Sequence, residues 1–125
     1  MVYNTRQREE IWRIVESTDR PLTAPEICAL AGRAIPKLGM ATVYRTIKNL
    51  VEEGQMRAVE VPGATPHYES AGRHHHHFFL CQKCRHLFPL AGCVRGLNAM
   101  APEGFRVQRH EIVLYGECAG CQSAA

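Results

Sequence analysis

The chain has 125 residues, with 46% apolar and 22% charged side chains and a net charge of +3. That is ordinary globular composition for one domain or two very small ones, and it excludes a disordered or low-complexity chain. No apolar run approaches the roughly 20 residues of a membrane span, and charges at Arg6, Arg8, Glu9 and Glu10 interrupt any signal-peptide pattern, so a cytoplasmic protein is expected.

Residues 5–17 predict a helix, because Ile11, Ile14 and Val15 recur at helical spacing with Arg and Glu opposite. Asp19 and Pro21 end it. Thr23-Ala-Pro-Glu26 is a capping box with proline in the first turn, opening a second helix with Ile27, Leu30 and Ala31 as its apolar stripe and Gly32 at its end. Cys28 lies in it without a metal-spaced partner and reads as a small buried thiol. A third helix is expected from Ala41 to Glu53, apolar at Val43, Ile47, Leu50 and Val51, with Gly54 just past its end. From Arg33 to Val51 there are four basic residues (Arg33, Lys37, Arg45, Lys48) and no acid, and Arg6 and Arg8 add to this stripe. Such a stripe suits a phosphate-facing surface.

Gln55–Val61 and Thr65–Glu69 read as strands around a Pro62-Gly63 turn. Three helices and a hairpin make a winged helix-turn-helix, whose last helix enters the major groove. Residues 62–66 are the expected hinge. This gives a winged-helix domain over 1–62 and a second domain over 63–125. In the second domain, strands are expected at His74–Cys81, His86–Leu90 and Phe105–Tyr115, with a weak helix near Cys93–Met100. So short a domain needs metal or a partner subunit for stability.

The metal motifs lie in this second half. Cys81-x-x-Cys84 and Cys118-x-x-Cys121 match the two-pair pattern of a structural zinc site, and four protein ligands leave no open position for chemistry. His74 to His77 run consecutively. On a strand their side chains alternate between faces, so one run can feed two sites. One candidate site groups His75, His77, Cys93 and His110. The other groups His67, Glu69 and His76, with His74 as a possible member. His86 reads as a surface residue. No HExxH-like motif is present, and an enzyme is not expected.

With these motifs in hand, the sequence resembles the ferric uptake regulator (Fur) family over nearly its whole length. The likeness is carried by Thr5-Arg-Gln-Arg8, Leu22-Thr-Ala-Pro-Glu26 and Gly39-Met-Ala-Thr-Val-Tyr-Arg-Thr46. The His run before Cys81-x-x-Cys84, and His110 through Leu114-Tyr-Gly116 to Cys118, complete it. The resemblance implies an α+β protein: an N-terminal winged helix-turn-helix followed by a small α/β dimerisation domain with structural zinc. It implies a homodimer that binds a double-stranded DNA operator and represses metal-uptake or metal-homeostasis genes. Tyr44 and Arg45 then resemble the base-reading pair, with Thr42 and Lys48 as backbone contacts. Glu69 and His76 resemble inter-domain sensing ligands. His75, His77 and His110 resemble a site in the dimerisation domain, where Cys93 replaces the usual Glu.

The chain departs from the family at Pro21, Arg57 and Phe78, where many members carry a ligand. His67 is the expected replacement. An added thiol and fewer carboxylates favour zinc (Zn2+) as the sensed ion over iron (Fe2+) or manganese (Mn2+). Two alternatives stand beside this reading: an iron-, manganese- or peroxide-sensing regulator of the same family, and a constitutive winged-helix protein with only structural metal.

Overall fold

The computed structural model describes residues 5–73 and 77–123. The chain divides into two compact units, Met1–His74 and His75–Ala125.

The first unit opens with helix α1, Thr5–Ser17. Ile11, Ile14 and Val15 are its buried stripe, as their spacing requires. Its last carbonyls are satisfied by hydroxyls: Thr18 donates to the Ile14 carbonyl at 2.6 Å and Ser17 to that of Arg13 at 2.6 Å. Helix α2, Ala24–Ala31, starts on the capping box, with Glu26 N–H donating to Thr23 Oγ1 and Thr23 N–H to Glu26 Oε1. Arg20 adds an ion pair to Glu26 at 2.8 Å. Gly32 caps the end of α2, where an added Cβ would meet the Cys28 carbonyl oxygen at 2.9 Å. Helix α3, Met40–Glu52, buries Val43, Ile47 and Leu50.

Strands β1, Met56–Val59, and β2, His67–Ser70, form an antiparallel hairpin with Arg57 opposite Glu69 and Val59 opposite His67. Leu22 joins it through a bridge to Tyr68, exchanging both backbone hydrogen bonds at 3.0 and 2.7 Å. The three helices and Met56 enclose one apolar core. The expected boundary after residue 62 differs from the division of the structure, which falls after His74. The reason is pairing: β1 and Leu22 both hold β2 in the first unit.

The second unit is a three-stranded sheet in the order β4-β3-β5. Strand β3 is His77–Cys81, β4 is Leu87–Leu90 and β5 is Val113–Gly116. β3 runs antiparallel to β4 and parallel to β5. The N-terminal part of the strand expected from residue 74 lies outside the described residues. The long strand expected over Phe105–Tyr115 is a correction. Only Val113–Gly116 is strand, pairing with Phe78–Cys81 of β3. The helix expected at Cys93–Met100 shrinks to a 3₁₀ turn, Leu97–Met100, since Gly92 and Gly96 both take positive φ (76° and 82°) and break the helical path. A short helix α4, Ala119–Ser123, closes the described chain. No helix among the described residues is long and apolar enough to cross a membrane.

Candidate metal centres and nucleic-acid face

The sheet of the second unit brings the four Cys-x-x-Cys sulfurs together. Cys81 ends β3, Cys84 lies in the β3–β4 turn, Cys118 precedes α4 and Cys121 lies within it. Arg85, at φ 64°, provides the left-handed residue that reverses the chain just after Cys84. Cys81 Sγ and Cys121 Sγ are 3.6 Å apart, and Cys84 Sγ and Cys118 Sγ 3.9 Å. A disulfide needs about 2.05 Å. Four sulfurs at about 2.3 Å from one tetrahedral ion lie about 3.8 Å from each other. The spacing therefore fits zinc and excludes disulfides, and all four cysteines are free.

The backbone prepares this site for charge. The Cys118 and Cys84 N–H groups donate to Cys81 Sγ at 3.3 and 3.5 Å. These two bonds are the main reason its thiol is held down to about 5. Cys121 goes the other way, pushed up to about 12 by side-chain hydrogen bonds with Cys118 and Cys81 and then by burial. Burial also raises Cys84. Without a cation, four crowded sulfurs cannot all ionise, and Cys81 is where the first negative charge settles.

A second cluster joins His77, at the start of β3, to Cys93 and His110. Cys93 Sγ lies 3.3 Å from His77 Nε2 and 2.9 Å from His110 Nε2, and the two imidazole centroids are 4.9 Å apart. His77 is buried, Cys93 exposed and His110 half-buried. His77 Nδ1 accepts the Ile112 N–H at 3.2 Å, so the neutral ring carries its proton on Nε2, toward Cys93. Binding an ion at Nε2 would move that proton to Nδ1, and the Ile112 N–H would then need another acceptor. The donor set of two imidazoles and one thiolate suits a borderline or soft divalent ion. His75, expected here, lies outside the described residues.

Of the other expected set, His74 and His76 lie outside the described residues. His67 and Glu69 are both buried on one face of β2 (1% and 2% exposed). His67 Nδ1 lies 2.7 Å from the Thr65 carbonyl and so must be its donor. Glu69 is engaged by Arg57. From the sequence alone, Arg57 stands out only as a missing ligand. Its role as counter-ion follows from the hairpin register, which places it directly opposite Glu69.

On α3, Tyr44 is 53% exposed, and Arg45 and Lys48 are exposed beside it. Thr42 is half-buried and accepts a 3.3 Å hydrogen bond from Arg45. The exposed Arg6 donates to the Ala34 carbonyl at 2.8 Å, tying α1 to the turn before α3. Arg8 is paired with Glu53 through two hydrogen bonds, 2.7 and 3.0 Å, which neutralises its share of the basic stripe. Cys28, expected to be buried, is half-buried and faces the Leu38 carbonyl oxygen at 3.6 Å. His86, expected at the surface, is half-buried and meets Phe88 edge-on.

Comparison with known proteins agrees with this arrangement. Residues 2–115 match the ferric uptake regulator family. The chain is similar to a ferric uptake regulation protein of Campylobacter jejuni, 32% identical over 125 residues, covering 95% of this chain and 79% of that one. Its fold is similar to that of a zinc-bound manganese uptake regulator (TM-score 0.80, 25% identity, 94% of this chain and 91% of the other). It is similar too to a zinc uptake regulator complexed with zinc and DNA (TM-score 0.56, 26% identity, 98% and 85%). The chain belongs to the ferric uptake regulator family, whose members are dimeric, metal-responsive DNA-binding regulators and not enzymes.

Proposed function

We propose that this regulator responds to zinc and represses genes of metal uptake or homeostasis as a homodimer on operator DNA. The carrying observation is the contact of Cys93 Sγ with the Nε2 atoms of both His77 and His110. A thiolate among imidazoles ranks zinc above iron(II) and manganese(II), which prefer harder oxygen-rich sites. His75, His77, Cys93 and His110 would hold the regulatory ion, and Cys81, Cys84, Cys118 and Cys121 the structural one. A bound ion supplies a charged cross-link between segments distant in sequence. The chain's own part is to present the donors: β3 carries His77, and the segment leading into β5 carries His110.

On DNA, Tyr44 and Arg45 read base edges from α3. Thr42, Lys48 and Arg6 contact the phosphate backbone. The zinc uptake regulator solved with zinc and DNA supports both halves of this reading.

Cobalt(II) substitution tests the thiolate. Protein keeping its structural zinc should gain a sulfur-to-cobalt charge-transfer band on taking up one further equivalent of cobalt, and Cys93→Ser should lack that band. If the band persists unchanged in Cys93→Ser, Cys93 is not a ligand and the argument for zinc loses its basis.

A further inference from the structure

Glu69 is the one acidic side chain buried in the first unit among the described residues, at 2% exposure. Its register partner across the hairpin is Arg57. Both the Nε and an Nη of Arg57 converge on Glu69 Oε2, at 2.9 and 2.5 Å. We infer that Arg57 is a built-in cation that neutralises Glu69 and withdraws this carboxylate from metal binding, leaving the hairpin with a fixed ion pair.

Three physical points carry this. A buried carboxylate requires a counter-charge, and one guanidinium supplies the single unit needed. A divalent ion at the same oxygen would put three positive charges against one negative in a desolvated place. Arg also differs from Lys or His in that it does not lose its proton, so no accessible pH empties the position. The Arg57 side chain is 41% exposed, which lets its stem reach in from solvent while its head is held by Glu69. Among the described residues, Arg57 therefore holds the Glu69 oxygen that a metal would take, and the metal response of the regulator would rest on the His77–Cys93–His110 cluster.

This inference rests on the regulator reading only for that last consequence. Its test needs neither DNA nor the identity of the sensed metal. Zinc equivalents per chain and thermal unfolding are measured for the wild type, Glu69→Gln, Arg57→Gln and the double variant. Glu69→Gln should retain every zinc equivalent of the wild type. Each single variant should lower the melting temperature by about 5–10 °C, and the double variant should recover at least half of the summed loss, because no charge is left unpaired. Loss of one zinc equivalent in Glu69→Gln would overturn the inference. So would strictly additive effects of the two substitutions, since Arg57 would then not be what satisfies Glu69. The double variant keeps the test readable if either single variant is too unstable to purify.

Discussion

Cys81 shows how single residues are prepared for their task. Two backbone N–H groups point at its sulfur before any ion arrives, and its thiol is held down to about 5 from an ordinary 9. The folded value lies below the unfolded one. Its contribution to stability is therefore complete above pH 9 and is lost as the pH falls through 9 toward 5. Cys121, pushed up to about 12, has the opposite sign: it remains a thiol through neutral pH and opposes folding only as the pH rises past 9. Cys93 makes a related point at the second cluster. Its residue type and spacing were legible in the sequence, but its contact with His110 joins two loop segments whose path no periodicity reports.

At the level of elements, the helices were legible because their local signals agree. Thr23 and Glu26 cap α2 reciprocally, and the apolar spacing of α1 and α3 matches their buried stripes. Thr23→Ala should cost about 1 kcal/mol of stability, read from denaturant unfolding, because it leaves a helix N-terminal N–H without its acceptor. No measurable loss would mean that water replaces the cap in full. The exposed face of α3 separates two kinds of DNA contact. Arg45→Ala should cost roughly 1–3 kcal/mol on the preferred sequence and flatten discrimination among sequences. Lys48→Ala should weaken binding to all sequences alike and reduce the salt slope by about one. Exchange of these two signatures in binding assays would reverse the roles assigned here.

The strands were less legible. β5 has only four residues, and no feature of residues 105–115 marks where its pairing with β3 begins. The Arg57–Glu69 pair was hidden for a similar reason, since it depends on the hairpin register, which is set by the seven-residue connection 60–66.

The whole molecule divides its labour unevenly. The first unit has a continuous apolar core drawn from three helices and the hairpin. The second buries Leu80, Cys81 and Leu87, while Val94, Met100, Phe105, Leu114 and Tyr115 remain exposed. So small a core does not sustain a domain by itself, and metal and assembly supply the rest. This division agrees with the cysteine pairs and histidine run that point to metal in the C-terminal half.

The most direct test is a DNA-binding titration at fixed salt, on operator selected from random duplexes, using protein that retains its structural zinc. Free zinc, iron(II) and manganese(II) are each held by buffer. Zinc alone, at very low free concentration, should switch on binding. Activation by iron(II) or manganese(II) but not by zinc would contradict a sensing site built around Cys93, and binding that ignores all three would identify a constitutive DNA-binding protein.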